Sequence, residues 1–150
     1  MSSIKVVSFN KKANFEYEIL DTIEAGIILC GTEVKSIRQG KCSLNEGYIV
    51  EENGELYMKN VNISQYNYGN INNHEPLRKR KLLLHKMEIV KLIRSIKEKG
   101  ITIIPIKIYF KGSLIKVAIA ICKGKKLYDK RESMKDKDSK RQIEREMKRG

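Results

Sequence analysis

Two hairpin signals limit this chain to a largely antiparallel β fold. At the first, alternating residues at 48–52 and 55–59 flank Asn53-Gly54. An Asn-Gly pair accepts the positive φ angles of the tight turn that joins twisted antiparallel strands. At the second, apolar segments at 101–110 and 114–122 flank a turn at 111–113. Pro105 lacks a backbone N–H, so we expect a bulge or a sheet edge there.

Shorter signals complete the predicted fold. Strands are expected at 15–19 and, more weakly, at 27–30. A short helix is predicted over 33–39, with Thr32 as its N-cap and Gly40 as its terminator, and a longer helix over 82–99. Many short strands with isolated helices favour a mainly β fold, a small closed or partly closed OB-like antiparallel barrel. Its core must be aliphatic, because the chain has no Trp and only 3 Phe.

The apolar periodicity is confined to residues 11–122. The segment 123–150 contains 12 Lys or Arg and 6 Asp or Glu, a net charge of +6. We therefore expect a flexible N-terminus at 1–10, a folded domain over 11–131 and a basic tail over 132–150. The tail has too few apolar residues to order itself, yet its high helix propensity predicts a helix on an anionic surface.

The charge of the whole chain indicates an anionic partner. Its 150 residues contain 31 Lys or Arg against 18 Asp or Glu, a net charge of +13. Nucleic acid, a membrane surface and an acidic protein all fit such an excess, and we favour nucleic acid. The apolar stretches are far short of the roughly 20 residues that cross a bilayer. Three widely spaced cysteines suit a reducing compartment, so we expect a cytoplasmic protein.

Two basic clusters could hold phosphate. Residues 78–86 contain five basic residues and a histidine at the predicted start of a helix, where free N–H groups also attract phosphate. The alternative is a solvated basic turn ahead of an ordinary helix. Residues 123–131 combine lysines with Tyr128, whose ring could stack on a base; the alternative is a plain charged tail. Glu24 could accept hydrogen bonds from base amino groups, or be an ordinary surface charge.

No catalytic pattern is present in the sequence. His74 and His85 are the only histidines, and no spacing of His, Cys and carboxylates matches a zinc site. Glu24 and Glu33 could form an acid–base pair, but nothing supplies a nucleophile with an orienting base. We therefore expect a protein that is not an enzyme and that needs no cofactor or metal.

Seven motifs occur together in one order along nearly the whole chain. They are NKKA at 10–13, EAGI at 24–27, GTEVKS at 31–36, Asn73-His74 with Pro76, RKLLLHK at 80–86, Lys99-Gly100 and GKKLYDKR at 124–131. In this order and spacing the chain resembles the SmpB family of SsrA-binding proteins.

This resemblance implies an OB-like barrel that binds the tRNA-like domain of transfer-messenger RNA (SsrA RNA). It implies delivery of that RNA to stalled ribosomes for trans-translation, in which the incomplete protein receives a degradation tag. The partners would be transfer-messenger RNA and the ribosome, at its decoding centre, mRNA channel and rRNA. The tail would become helical on the ribosome. We expect a monomer without a membrane or DNA partner.

The clusters and the resemblance together give the expected site residues. Glu24 matches a family glutamate that is needed for RNA binding, and residues 82–85 match a segment implicated in the same contact. The expected RNA-binding residues are Asn10, Lys11, Glu24, Gly26, Lys35, Arg38, Arg78, Arg80, Lys81, Leu83, His85, Lys123, Lys125 and Lys126. The residues expected to act in ribosome accommodation are Tyr128, Asp129, Lys130 and Arg131.

Two other functions fit parts of the sequence. A structural ribosomal protein would have the same barrel and tail, and composition does not separate it from an adaptor. An RNA-processing enzyme would share the basic surface but would need the catalytic residues that the sequence lacks.

Overall fold

The computed structural model describes residues 4–67 and 73–124. Within these ranges three helices are present: α1 (Ala13–Glu16), α2 (Gly31–Arg38) and α3 (Lys86–Ile96). The strands are β1 (Ile4–Phe9), β2 (Tyr17–Ile27), β3 (Cys42–Ser43), β4 (Tyr48–Glu52), β5 (Glu55–Lys59), β6 (Asn62–Ile63), β7 (Arg80–Leu83), β8 (Ile101–Lys111) and β9 (Leu114–Gly124).

Seven of these strands form one antiparallel sheet in the order β1-β8-β9-β2-β7-β5-β4, and β3 pairs with β6 separately. Although β4 ends this order, it packs against β8 near the opposite end. The sheet must therefore curl around its core. The mainly β, antiparallel fold class is confirmed, and the curl agrees with the expected OB-like arrangement.

Both predicted hairpins are present. Asn53 and Gly54 have φ angles of 53° and 80°, and Glu52 pairs with Glu55 across the turn. In the second hairpin Lys111 pairs with Leu114, and the register shifts between Pro105 and Lys107. The predicted bulge at the proline is thus confirmed, because the ladder continues around the missing N–H.

An aliphatic core fills the interior. The fully buried members of its main cluster are aliphatic or methionine side chains, including Leu56, Met58 and Ile108. Packing is tight where Gly47 enters this core: a Cβ atom there would lie 2.5 Å from Val61 Cγ2 and 2.9 Å from Pro105 Cγ. Side chains from distant segments therefore pack so closely around Gly47 that a methyl group would not fit there.

One prediction for the N-terminus and two for strands need correction. Ile4–Phe9 was expected within a flexible N-terminus but forms β1, which pairs with β8. The strand predicted at 15–19 begins only at Tyr17, because residues Ala13–Glu16 form α1. The strand predicted at 27–30 is wrong beyond Ile27, where β2 ends.

The predicted helix over 82–99 begins too early. Residues Arg80–Leu83 form β7, which pairs with β2 on one side and β5 on the other. Burial alternates along β7, and α3 starts only at Lys86. The short helix was placed closely: α2 has Cys30 rather than Thr32 as its N-cap, and Gly40 follows its end with a φ of 72°.

None of the helices in the described ranges is long and apolar enough to cross a membrane. The same ranges contain no group of three His, Cys, Asp or Glu side chains that could hold a metal ion. The predicted tail over 132–150 lies outside the described residues.

Candidate nucleic-acid interface

A row of paired residues crosses four neighbouring strands on one face of the sheet. Leu83 of β7 pairs with Gly26 of β2, Gly26 pairs with Lys116 of β9, and Lys116 pairs with Tyr109 of β8. Cross-strand partners point to the same face of a sheet. Glu24 precedes Gly26 by two positions, so it lies on this face as well.

A surface cavity of about 320 Å³ lies at the β7 end of this row. Glu24, Gly26, Leu83, Leu84, His85, Glu88 and Lys116 line it. Four of these, Glu24, Gly26, Leu83 and His85, are residues that the sequence predicted to bind RNA. The structure brings them together although they come from two short motifs that are far apart in the sequence.

Gly26 allows close packing beside the cavity. A Cβ atom at this position would lie 3.2 Å from Leu83 Cβ. Leu83 itself is 51% exposed. The glycine therefore leaves room for Leu83, an exposed apolar side chain that lines the same cavity as Glu24.

The Glu24 carboxylate is held by two donors. The Tyr109 hydroxyl donates to Oε2 at 2.5 Å, and Lys111 Nζ donates to Oε1 and Oε2 at 3.3 and 3.4 Å. The hydrogen bond from Tyr109, with smaller contributions from Lys111 and Lys116, lowers the pKa of Glu24 below its ordinary value. Burial and the bond to Glu24 raise the pKa of Tyr109. The carboxylate is therefore charged, and the tyrosine keeps its proton.

This face carries an excess of positive charge. Lys107 pairs with Ala118, which pairs with Glu24, and the Lys107 Nζ atom lies 5.4 Å from the centre of the Tyr109 ring. Lys111 and Lys116 act directly on the Glu24 carboxylate, so three lysines lie around a site whose carboxylates are Glu24 and Glu88. Phosphate oxygens and base amino groups would both find partners on such a surface.

Arg78 and Arg80 do not belong to this face. The side chains of Arg80 and Glu33 are both 0% exposed, and Arg80 Nε donates to Glu33 Oε2 at 2.5 Å. Arg80 also donates to the carbonyls of Val61 at 2.7 Å and Pro76 at 3.0 Å. Arg80 as an RNA contact stays a prediction, and in this structure its guanidinium is buried and bonded to Glu33, Val61 and Pro76.

Arg78 bonds the same glutamate from the edge of this cluster, with its own side chain 33% exposed. Its Nη2 donates to Glu33 Oε1 at 2.6 Å, and the Cys30 amide donates to that oxygen at 2.7 Å. Burial acts to raise the pKa of Glu33, but the hydrogen bonds from Arg78, Cys30 and Arg80 outweigh it, and the pKa lies below its ordinary value. We call Glu33, Arg78 and Arg80 the inner cluster.

The two lysines of the 78–81 run are also paired with acids. Lys79 bonds Glu52 at 2.7 Å, and Lys81 lies 3.3 Å from Glu55. The run leads into a strand rather than a helix, so the argument from free helical N–H groups does not apply to it. The residue at the start of a helix is instead His85, the N-cap of α3. Its backbone amide donates to the Glu88 carboxylate at 3.0 Å.

Asn10 and Lys11 lie at the end of β1. The Asn10 side chain is buried, and its amide donates to the carbonyls of Pro105 at 3.1 Å and Leu44 at 3.4 Å. Its Oδ1 accepts from the Lys12 amide at 3.1 Å. In this position Asn10 shapes the turn that presents Lys11, and its own side chain is occupied.

Lys35 and Arg38 lie on α2. Lys35 Nζ lies 5.4 Å from the centre of the Tyr66 ring. Arg38 lines a different cavity, of about 480 Å³, with Lys5, Phe110 and neighbouring residues of β1 and α2. Among the described residues, Asn10, Lys11, Lys35 and Arg38 contribute nothing to the Glu24 cavity.

Lys123 is exposed near the end of β9, opposite Glu18 of β2. The remaining predicted residues, Lys125, Lys126, Tyr128, Asp129, Lys130 and Arg131, lie outside the described residues.

Sequence reasoning missed four residues of this face, namely Lys107, Tyr109, Lys111 and Lys116. The clearest case is the pair Tyr109 and Lys116. A signal for their pairing was available, because the turn at 112–113 fixes which residues of the second hairpin face each other. Nothing in the sequence indicated that β2 would lie beside β9 and bring Glu24 to them.

A curled antiparallel sheet with a basic, partly apolar outer face is typical of OB-like nucleic-acid-binding proteins. The comparisons with known proteins are more specific. The family model described as SmpB protein matches residues 7–149, and this chain belongs to the SmpB family. The resemblance inferred from the seven motifs is thereby confirmed.

Individual relatives cover nearly the whole chain. An SsrA-binding protein of Bacillus pumilus is 55% identical over 94% of this chain and 90% of its own length. Another, of Alkaliphilus metalliredigens, is 54% identical over 95% of this chain and 91% of its own. A solved structure described as "tmRNA-SmpB: a journey to the center of the bacterial ribosome" is 43% identical, with a TM-score of 0.68, and the match covers 95% of this chain and 94% of that one.

Proposed function

We propose that this protein is an RNA-binding adaptor that binds the tRNA-like domain of transfer-messenger RNA and delivers it to stalled ribosomes. Trans-translation then tags the incomplete protein and frees the ribosome. Membership of the SmpB family across residues 7–149 carries this proposal. Relatives that are 54% and 55% identical are SsrA-binding proteins, and the similar solved structure is of tmRNA-SmpB in the bacterial ribosome.

The physical basis is the outer face of the sheet around Glu24. Lys107, Lys111 and Lys116 would neutralise backbone phosphates, and Leu83 would contact a base or a sugar. Glu24 would accept a hydrogen bond from a base amino group. Structured RNA is recognised largely by shape, and a rigid row across four strands is suited to that task.

The proposed division of labour assigns RNA binding to the folded body and ribosome accommodation to the chain from Tyr128 onward. Glu24, Gly26, Leu83 and His85 would serve the first step, and Tyr128, Asp129, Lys130 and Arg131 the second. The protein would act in the cytoplasm and form or break no covalent bond itself.

The first test is the identity of the RNA. The full chain, tagged at its N-terminus, is expressed in bacteria, purified under native conditions, and its bound RNA is sequenced. We expect transfer-messenger RNA as the dominant species. Recovery of rRNA alone, in proportion to ribosomes, would indicate a structural ribosomal protein. High-salt sucrose gradients separate the two further, because a ribosomal protein remains on every ribosome.

The second test separates the two steps. Glu24→Ala is compared with Glu18→Ala, an exposed glutamate on the same strand, and with a chain lacking residues 132–150. We expect Glu24→Ala to weaken binding of the tRNA-like domain by about tenfold, the value of one good base contact. Glu18→Ala should bind normally. The shortened chain should bind normally but fail to support tagging, and equal loss of RNA affinity in it and in Glu24→Ala would contradict the division.

A further inference from the structure

A glutamate that reads a base edge must present its carboxylate in one orientation. The Glu24 side chain is 38% exposed and would otherwise rotate freely on the surface. Each flexible side chain that becomes ordered on binding costs roughly 0.5–1.5 kcal/mol. A contact that fixes Glu24 before the RNA arrives would remove this cost from the binding step.

Tyr109 provides such a contact. Its residue is only 4% exposed, and its strand is paired on both sides, with Val6 of β1 and with Lys116 of β9. A tyrosine enclosed in this way has little rotational freedom. Its hydroxyl therefore reaches the Glu24 carboxylate from a fixed point.

The two donors to Glu24 differ in rigidity. Tyr109 donates to Oε2 at 2.5 Å, whereas Lys111 is 42% exposed and lies 3.3 Å from Oε1. A long, exposed ion pair is weak and is readily exchanged for other partners. Among the described residues, Oε1 of Glu24 thus accepts a hydrogen bond only from Lys111. An RNA phosphate could bind Lys111 instead and leave Oε1 without this donor.

We propose that Tyr109 is a positioning residue for RNA recognition: its buried hydroxyl fixes Oε2 of Glu24 so that Oε1 can accept a hydrogen bond from the amino group of an RNA base. This inference rests on the proposed binding of transfer-messenger RNA. It assigns Tyr109 no contact with the RNA itself.

The test is a double-mutant cycle on the full chain, with the tRNA-like domain of transfer-messenger RNA as the probe. Tyr109→Phe removes one oxygen atom and should weaken binding about fivefold, as expected for a hydrogen bond to a charged group that is partly exposed. In a Glu24→Ala background, where the hydroxyl has lost this acceptor, the same substitution should change affinity less than about twofold. The matched control is Tyr57→Phe in β5, whose ring also has a lysine above it, Lys79 at 4.6 Å.

The pH dependence of RNA binding shows whether Tyr109 positions Glu24 or only supports the fold. Tyr109 lowers the pKa of Glu24, so removing its hydroxyl raises that pKa. When the pH is lowered, the Tyr109→Phe variant should therefore lose RNA binding at a higher pH than the wild type. Both proteins are measured on the same RNA. The control Tyr57→Phe should follow the wild-type curve.

Glu24→Asp tests the proposal without altering Tyr109. The shorter side chain keeps its charge but withdraws the carboxylate from the fixed hydroxyl, so affinity should fall as far as in Glu24→Gln. Wild-type affinity in Tyr109→Phe or in Glu24→Asp would overturn the inference about Tyr109. The proposed function would still stand in that case, provided that Glu24→Gln binds the RNA weakly. Equal weakening by Tyr109→Phe in both backgrounds would also overturn it. Failure of the wild-type protein to bind this RNA would instead contradict the proposed function.

Discussion

Two glutamates nine positions apart occupy opposite kinds of environment. Glu33 is 0% exposed and bonded to Arg78 and Arg80 in the inner cluster. Glu24 is 38% exposed and bonded to Tyr109 and Lys111 on the outer face. Both are acids among cations on a strongly basic protein. The comparison shows that the inner glutamate holds the fold together, whereas the outer one remains available to a ligand.

The largest expected difference between the two is in stability. Glu33→Ala leaves the Arg80 guanidinium buried without its counter-ion, a change that costs about 3–5 kcal/mol. Glu24→Ala removes a partly exposed group but takes the acceptor from the Tyr109 hydroxyl, so it should cost about 1–2 kcal/mol, less than Glu33→Ala. Urea denaturation followed by circular dichroism measures both. Equal losses would show that the two sites do not differ as described.

Acid should distinguish the two glutamates next. Each has a pKa below its ordinary value, so each contributes stability at neutral pH that is lost as the pH falls through the folded-state pKa. Because Glu33 is enclosed, Glu33→Gln should flatten the acid limb of the stability curve more than Glu24→Gln. The measurement is the urea midpoint from about pH 7 down to about pH 3, across the range where carboxylates titrate. An unchanged acid limb in Glu33→Gln would contradict the role of the inner cluster.

A third prediction concerns salt. Lys116 lines the Glu24 cavity, whereas Lys79 is bonded to Glu52 at 2.7 Å. Removing one lysine–phosphate interaction reduces the slope of log affinity against log salt by about 1. Lys116→Met should show this reduction and Lys79→Met should show much less. A larger effect from Lys79 would restore the 78–81 run as part of the RNA-binding surface.

The smallest effect is expected at Gly26. A methyl group there would press on Leu83 Cβ at 3.2 Å, so Gly26→Ala should shift Leu83 and weaken RNA binding a few-fold. Its cost in stability should be about 1 kcal/mol, because Leu83 Cβ is fixed to the β7 backbone and that strand must shift by a few tenths of an ångström. Binding and thermal denaturation are compared with Gly31→Ala, where a Cβ atom meets nothing within 4 Å. Identical behaviour of the two variants would show that the close packing at Gly26 is not needed.

The sequence predicted the elements that local chemistry determines. Asn53-Gly54 requires positive φ angles, which fixed one hairpin, and Pro105 fixed the bulge in the other. The start of α3 was misplaced because the apolar run at 82–84 fits a helix as well as a strand. Its strand conformation depends on pairing with Gly26 and Ile27, which lie far away in the sequence.

The candidate site was predicted only in part, because it too depends on contacts between segments that lie far apart in the sequence. The motifs supplied Glu24, Gly26, Leu83 and His85, which the structure brings to one cavity. The motifs could not show that Arg80 is buried and Arg78 half-buried, because Glu33, the acid that both arginines bond, lies in another motif. Residue types indicated charge, and only tertiary packing decides whether that charge faces solvent or an internal acid.

The row across β7, β2, β9 and β8 has a consequence for biosynthesis. Glu24 and Tyr109 are separated by 85 positions along the chain, and β9 must enter between their strands before they can meet. A nascent chain that does not yet include β9 therefore lacks the row of paired residues on the proposed RNA-binding face. A copy cut before β9 would not compete with the full chain for RNA, because the proposed face is completed only when β9 joins β2 to β8.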